Sequence, residues 1–404
     1  MAETDRVLLA DIAIVGGGMV GMGCALAMAQ SGLEVVLLEA QPASQFMVAA
    51  PVATFDDRTL VVNPASMQFW QSVGVWQQLE SKVVPINQVH VSNQGQFGVV
   101  NFSAAALGVP ELGAVVGAKD LVDVLWQLVN SHESITVETS AKLQSFERSS
   151  EGVDLVVQQK EQQFSVKASL MVAADGAKSH VRQQLGLDTE VKSYDRTAIV
   201  CNAQFSGQHK GCAFERLTQT GPLALLPYHH GRCGLVWSVN SDMAAELLEL
   251  SDEGFMAELQ HQLSFRMGSL GKVGRRSSYP IYQVKVPNQI AQSVVLMGNA
   301  AHAVSPVSAQ GLNLAVRGIK RLVNVLNDAQ KNKQSISDLT LLEKYQSQSQ
   351  QDQEATMNYT DDLMTWFQID MPLVNGLRSV GLLAVDAVPA LKQYLFKRAG
   401  GLKA

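Results

Sequence analysis

The sequence predicts an α/β chain that mixes a buried parallel sheet with a separate β-rich region, on three observations. An apolar run at the start passes through a glycine loop into a helix and then a second apolar run. The middle of the chain alternates as half-solvated strands do, and near residue 293 it returns to a buried strand followed by a long helix.

The composition bounds what such a chain can be. Of 404 residues, 47% are apolar and 17% charged, enough to bury the cores of two packed domains and too apolar for a disordered chain. Thirty-one basic against 37 acidic residues leave a net charge of −6, so no chain-wide positive field exists to attract nucleic acid. Cys24, Cys201, Cys212 and Cys233 show no C-x-x-C pair and no His/Cys cluster at metal-ligand spacing. They read as reduced cytosolic thiols, and no metal is expected. The N-terminus MAETDRVLLADIAIV is acidic where a signal peptide is basic, and no apolar run reaches the ~20 residues that span a bilayer.

In order, Asp11 to Val15 reads as a buried strand, Met19 to Ser31 as a helix and Leu33 to Glu39 as a second strand, a βαβ start. A turn-rich stretch from Pro42 to Pro51 precedes a helix from Pro64 to Val73. Residues 86 to 118 suit β-structure and turns, and a helix follows from Lys119 to Asn130. The segment from Ile135 to Ala174 reads as three strands joined by polar turns. Between about 187 and 285, strands are expected near Ala198 to Phe205, Gly221 to Pro227 and Gly234 to Val239, with one helix near Phe255 to Phe265; this is assigned to a substrate-bearing domain. Ser293 to Met297 is again a buried strand, then comes a long helix through Leu326. Residues 341 to 404 read as helical with a break at Pro389.

The chemistry-bearing segments sit at the strand ends. Gly16-Gly17-Gly18-Met19-Val20-Gly21 holds the G-x-G-x-x-G pattern between strand and helix. Gly16 permits the turn, Gly18 lets a pyrophosphate approach the backbone, and Gly21 lets the helix sit close to its strand. The helix start then offers N–H groups and a partial positive charge to phosphates. Glu39, at the end of the second strand, can accept both hydroxyls of an adenosine ribose. A second segment, Ala173-Ala174-Asp175-Gly176, ends a strand, and a third runs from Leu296 through Gly298, Asn299, His302, Pro306, Gln310, Gly311, Leu312 and Asn313 into a helix.

With these three segments the sequence resembles the single-component flavoprotein aromatic hydroxylases of the para-hydroxybenzoate hydroxylase fold, and among them the ubiquinone-biosynthesis hydroxylases. The resemblance covers nearly the whole chain, including Asp57-Arg58, Val73-Gly74-Val75-Trp76, Leu225-Leu226-Pro227, Gly231-Arg232 and Val236-Trp237. It implies a Rossmann-like FAD-binding domain of the GR2 type, interleaved with a β-sheet substrate domain and closed by a helical C-terminal segment. The FAD-binding parts are then 1–85, 119–186 and 286–340, the substrate-domain parts 86–118 and 187–285, and the C-terminal segment 341–404. By the same resemblance Gly16, Gly18, Met19, Val20, Gly21 and Glu39 hold the ADP part of FAD, and Arg58 lies beside the cofactor. Asp175 and Gly176 belong to a motif shared between FAD and nicotinamide contact. Gly298 and Asn299 meet the ribityl-phosphate region, Asn standing where many relatives have Asp. Pro306, Gln310, Gly311, Leu312 and Asn313 flank the isoalloxazine ring.

The activity implied is monooxygenation. NAD(P)H reduces the flavin, O2 reacts there, and an oxygen atom passes to an electron-rich ring carbon of a hydrophobic, polyprenylated phenol. No second complete G-x-G-x-x-G is present, so NAD(P)H visits a shared cleft. His302 is a candidate base, since histidine titrates near neutrality; a structural role at the helix start is the other reading. Tyr228, His229 and His230 sit where a strand end could face the ring, and read rather as a solvated turn. Three departures bear on the reaction: Ala309 replaces the Gly usual before Gln-Gly, Gly318 stands where Asp commonly follows Arg, and Gly117-Ala118-Lys119 replaces a stretch that often carries Arg. A related reductase or dehydrogenase without oxygen insertion is a second reading, and the Ala309 and Gly318 departures keep open a third, a flavin-binding accessory protein.

The tail from Ala387 to Ala404 carries Lys392, Lys397, Arg398 and Lys403 with no acidic residue. It suits an anionic membrane surface, burying Leu391, Leu395 and Phe396, or else packs on the protein's own body. A cytoplasmic protein peripheral to the inner membrane, meeting a membrane surface or other quinone-biosynthesis proteins, is the expectation.

Overall fold

Val35–Glu39 is buried at all five positions, because a parallel strand covered on both faces has no solvated side to alternate with. It lies in the first of three sheets of the computed structural model, which describes residues 6–46, 58–305, 309–368 and 372–402, without the side chains of 363–379. The order across this sheet is Ile290–Ala291, Val294–Leu296, Gln162–Ala173, Val7–Val15, Val35–Glu39 and Ile135–Thr139. Val7–Val15 runs parallel to both its neighbours, with Ile12 opposite Leu170 on one side and Val35 on the other.

Successive residues of these strands feed different cores. Ile12, Ile14, Leu37, Leu170 and Val172 pack under helices Met19–Gln30, Ala118–Ser131 and Gln310–Lys331. Ala13, Val15, Leu38, Met171 and Ala173 pack with Leu143, Leu155, Val157 and Phe164 on the other face. Leu143 belongs to Ala141–Arg148, a strand absent from the three-strand reading of 135–174. Its end, Phe146-Glu147-Arg148, is polar enough to pass for a turn, and only its pairing with Val153–Gln159 reveals it.

The second sheet has nine strands. Its path runs from His302–Ala303 through Ser277–Lys285, Glu190–Phe205, Arg232–Asn240, Gly221–Pro227, Cys212–Thr218 and Gln88–Asn93 to Val99–Ser103. Leu223, Leu225, Leu235, Trp237 and Val239 turn one face toward helices Ser241–Glu249 and Asp252–Leu263, where Trp237 meets Phe255 at 6.1 Å. The first of these helices was not expected; it follows the strand end with no side-chain cap to announce it. The stretch 86–118 divides. Gln88–Asn93 and Val99–Ser103 join this sheet, whereas Ala114–Gly117 pairs with Thr59–Val62 and Val83–Pro85 in a third, three-stranded sheet.

Helices Leu339–Gln368, Pro372–Ala387 and Pro389–Ala399 complete the chain. Asp352 accepts from Arg317 Nε at 2.8 Å and also pairs with Arg321, fastening the first to Gln310–Lys331. The last helix returns to the body: Ala399 O accepts from Asn63 Nδ2 at 3.1 Å and Gly400 O from Ala65 N at 3.1 Å. Phe396 is therefore buried against the protein itself, which corrects its assignment to a lipid-facing side. Among the described residues no helix is long and apolar enough to cross a membrane.

Candidate flavin and substrate site

Three strands of the first sheet end side by side, and the loops leaving them converge. Val7–Val15 leads into Gly16, whose φ is +109° and where a Cβ would lie 2.4 Å from Ala174 O. That close approach and that dihedral exclude any side chain. Gly17 N donates to Glu39 Oε2 at 2.7 Å, and Gln41 N donates to Oε1 at 2.7 Å. Two backbone donors fix the carboxylate while leaving each oxygen a lone pair for a ligand hydroxyl. Gly18 caps the helix Met19–Gln30 without a side-chain bond, and a Cβ there would have nothing within 4 Å. Gly21 differs: its Cβ would sit 1.8 Å from Gly16 O, so it is what lets the helix close on its strand.

The second loop brings Asp175 next to this bend. Its Oδ2 accepts from Val181 N at 3.1 Å, whereas Oδ1 is buried with no hydrogen-bond partner. Gly176 adopts φ +86°. The third loop places Gly298, φ +58°, where a Cβ would press on Val20 at 3.1 Å, and leaves Asn299 exposed. An open helix start, a fixed carboxylate and an unanswered buried carboxylate oxygen fit a dinucleotide laid across the strand ends. Gly16–Gly21 and Glu39 would hold its diphosphate and ribose, with Asp175 and the Gly298 loop beyond. FAD bound there would supply redox and oxygen chemistry; these residues would bind and orient it.

Beyond the cradle the long helix Gln310–Lys331 begins beside the second sheet. Asn313 is committed to the scaffold: its Oδ1 accepts from Asn63 N at 3.0 Å, and its Nδ2 donates to Val61 O at 3.0 Å and Ala309 O at 2.9 Å. Gln310 Nε2 reaches Ala399 O at 3.4 Å. Gly311 and Leu312 follow in the first turn, Leu312 partly buried against the core. Arg58 is exposed, its carbonyl taking Ala118 N at 2.7 Å. Pro306 lies outside the described residues.

A cavity of 160 Å³ opens between the sheet and Ala309, which stands at the start of that helix. Its walls are apolar and come from many strands: Val61, Val89, Ala213, Ala224, Leu226 and Val236 among them, with Glu215 in their midst. These residues were missed. The signal was present in Gly221–Pro227, where Pro222, Ala224 and Leu226 face the cavity and Leu223 and Leu225 the opposite core, but alternation alone does not say which face is hollow. His302 is absent from this wall. It is buried, on a short strand whose backbone stands opposite Lys285, and desolvation, with Arg317 nearby, lowers its pKa to about 4; it is neutral at physiological pH. Tyr228 is buried rather than in a solvated turn, and His229 Nε2 lies 2.8 Å from Lys82 O.

The fold and the glycine bend fit a flavin-dinucleotide oxidoreductase, with an apolar cavity beside the long helix. Residues 9–360 match the family described as FAD binding domain, and the chain belongs to that family. It is an FAD-dependent hydroxylase, similar along its length to curated relatives. It is 29% identical to the ubiquinone hydroxylase UbiL of Rhodospirillum rubrum, over 99% of this chain and 91% of that one. It is 28% identical to the 3-demethoxyubiquinol 3-hydroxylase of Escherichia coli, over 97% and 98%. Among solved structures, p-nitrophenol 4-monooxygenase PnpA of Pseudomonas putida shares the fold, with a TM-score of 0.78, 17% identity and coverage of 99% and 100%.

Proposed function

We propose that this enzyme hydroxylates the ring of a polyprenylated phenol in ubiquinone biosynthesis, with NAD(P)H as reductant and O2 as oxygen donor. The observation that carries the reading is the apolar cavity beside Ala309, at the start of the helix that follows the Gly298 loop. A ring held there is kept from water while the cradle holds the dinucleotide at the other end. The relatives named as ubiquinone hydroxylases support the substrate class. A tail too apolar for water also needs delivery from a membrane. Val380, Leu383, Val388 and Tyr394 are exposed on the last two helices, which supports a peripheral contact, made by these residues and not by Phe396.

The test is turnover of a short-chain polyprenylphenol under labelled O2. One labelled oxygen in the ring product, with NAD(P)H consumed, is the expected result; NAD(P)H oxidation without label in the organic product overturns the reading. For the membrane contact, Leu383→Asp with Val388→Asp should reduce sedimentation with anionic vesicles, and unchanged sedimentation counts against it.

A further inference from the structure

Among the described residues lining the cavity, Glu215 alone carries a charge. It lies on Cys212–Thr218, opposite Val91 on one neighbouring strand and Ala224 on the other. Ala224 is small, so the carboxyl has room to reach the chamber; Phe214, Leu226 and Val236 offer it no donor, and the hydroxyl of Ser238 on the same wall accepts from Arg196 Nε at 3.3 Å and is not hydrogen-bonded to Glu215. Glu215 makes no hydrogen bond or ion pair among the described residues. It is half-buried and lines the cavity, and burial pushes its carboxyl up to about 7.

The titratable groups around it do not neutralise it. Tyr359 of helix Leu339–Gln368 feels its charge, the phenol being raised by burial first and by Glu215 second, and Arg398 of the last helix lies over the Tyr359 ring at 5.3 Å. On the adjacent strands, His90 turns to Asn101 and Arg266, and Arg216 Nε donates to Gln262 O at 2.7 Å. A carboxylate kept in an apolar chamber without a partner is destabilised, and a ligand carrying an O–H donor removes that cost.

We propose that Glu215 anchors the substrate through its ring hydroxyl and takes the phenolic proton during hydroxylation. The inference rests on the phenol reading given above. When the O–H bond breaks, its electron pair stays on the ring oxygen and enriches the ortho and para carbons, while the proton goes to the Glu215 carboxylate. One atom of O2 arrives on the ring as hydroxyl and the other leaves as water, with NAD(P)H the reductant. The C–H proton of the attacked carbon is released as the ring regains aromaticity, and Glu215 returns its proton to the phenolate oxygen.

The test compares 2-octylphenol with its methyl ether, 2-octylanisole, which has no proton to give. Calorimetric titration of the FAD-loaded protein between pH 5.5 and 8.5 should show the phenol bound about tenfold tighter than the ether at pH 8. The preference should shrink below pH 7 as the carboxyl protonates. In Glu215→Gln, with flavin content and melting temperature checked, it should fall to about threefold or less and lose its pH dependence. A Glu215→Gln protein that keeps both the preference and its pH profile overturns the proposal. Labelled-O2 turnover by the unaltered enzyme is scored separately. Incorporation with an unchanged variant preference sinks the anchor and spares the phenol reading; no incorporation with a lost preference does the reverse.

Discussion

The glycine bend with Glu39 and the apolar cavity beside Ala309 are built in opposite ways. The cradle is backbone: Gly16, Gly18 and Gly21 act by what they lack, and Glu39 is held by two main-chain amides. The cavity is side chain, drawn from strands distant in sequence, with a carboxyl that makes no hydrogen bond or ion pair among the described residues. A backbone site tolerates almost no substitution at its glycines but needs only one continuous segment. A side-chain site tolerates exchange of any one wall residue but depends on the whole sheet to exist.

The largest effect expected from this contrast is in the cradle. Gly21→Ala places a methyl 1.8 Å from Gly16 O, so a loss of at least about 3 kcal/mol and a colourless protein are expected. Gly18→Ala meets no atom within 4 Å. The apoprotein should melt unchanged, yet FAD affinity should fall by about tenfold or more, because the diphosphate needs that approach. Equal FAD retention in Gly18→Ala would break the assignment of the diphosphate to this bend.

The next effect separates two titratable groups that desolvation shifts in opposite directions. Glu215 is raised from 4.5 to about 7, so between those values the folded protein holds a proton that the unfolded chain has lost, and stability falls as pH rises through the window. His302 is lowered from 6.5 to about 4, so there the unfolded chain holds the extra proton and stability falls as pH drops from 6.5 toward 4. Each is worth up to about 3 kcal/mol. Denaturant titrations of the apoprotein should show Glu215→Gln removing the loss on the alkaline side and His302→Gln removing the one on the acid side. Parallel profiles for the two variants would show that neither group is buried as described.

The smallest effect sharpens the join between the regions. Ala309 sits at φ 51° and ψ 38°, a left-handed conformation that costs a residue with a Cβ about 1 kcal/mol. Ala309→Gly should raise the melting temperature by about a degree or two. The Gly that the family resemblance leads one to expect at this position has a physical reason here, and the Ala309 methyl lines the cavity.

Much of the fold was legible because its signals are local. Pro64–Ser72 and Ala118–Ser131 match the helices read from spacing, and Gly221–Pro227 matches its strand. What failed was pairing. Ala141–Arg148 was hidden because its end is polar, and Ala114–Gly117 joined a third sheet because nothing in four apolar residues names their partner. The roles read for Gln310 and Asn313 came from resemblance; the structure shows Asn313 spending its amide on Asn63, Val61 and Ala309.

The amino-acid order by itself determined the cradle, since a strand, three glycines at set spacing and a carboxylate at the next strand end specify backbone geometry within one short segment. Only the tertiary structure decided the chamber and the isolation of Glu215. A cavity is the space left after distant strands have paired and packed, and whether a carboxyl there meets a partner depends on every surface around it.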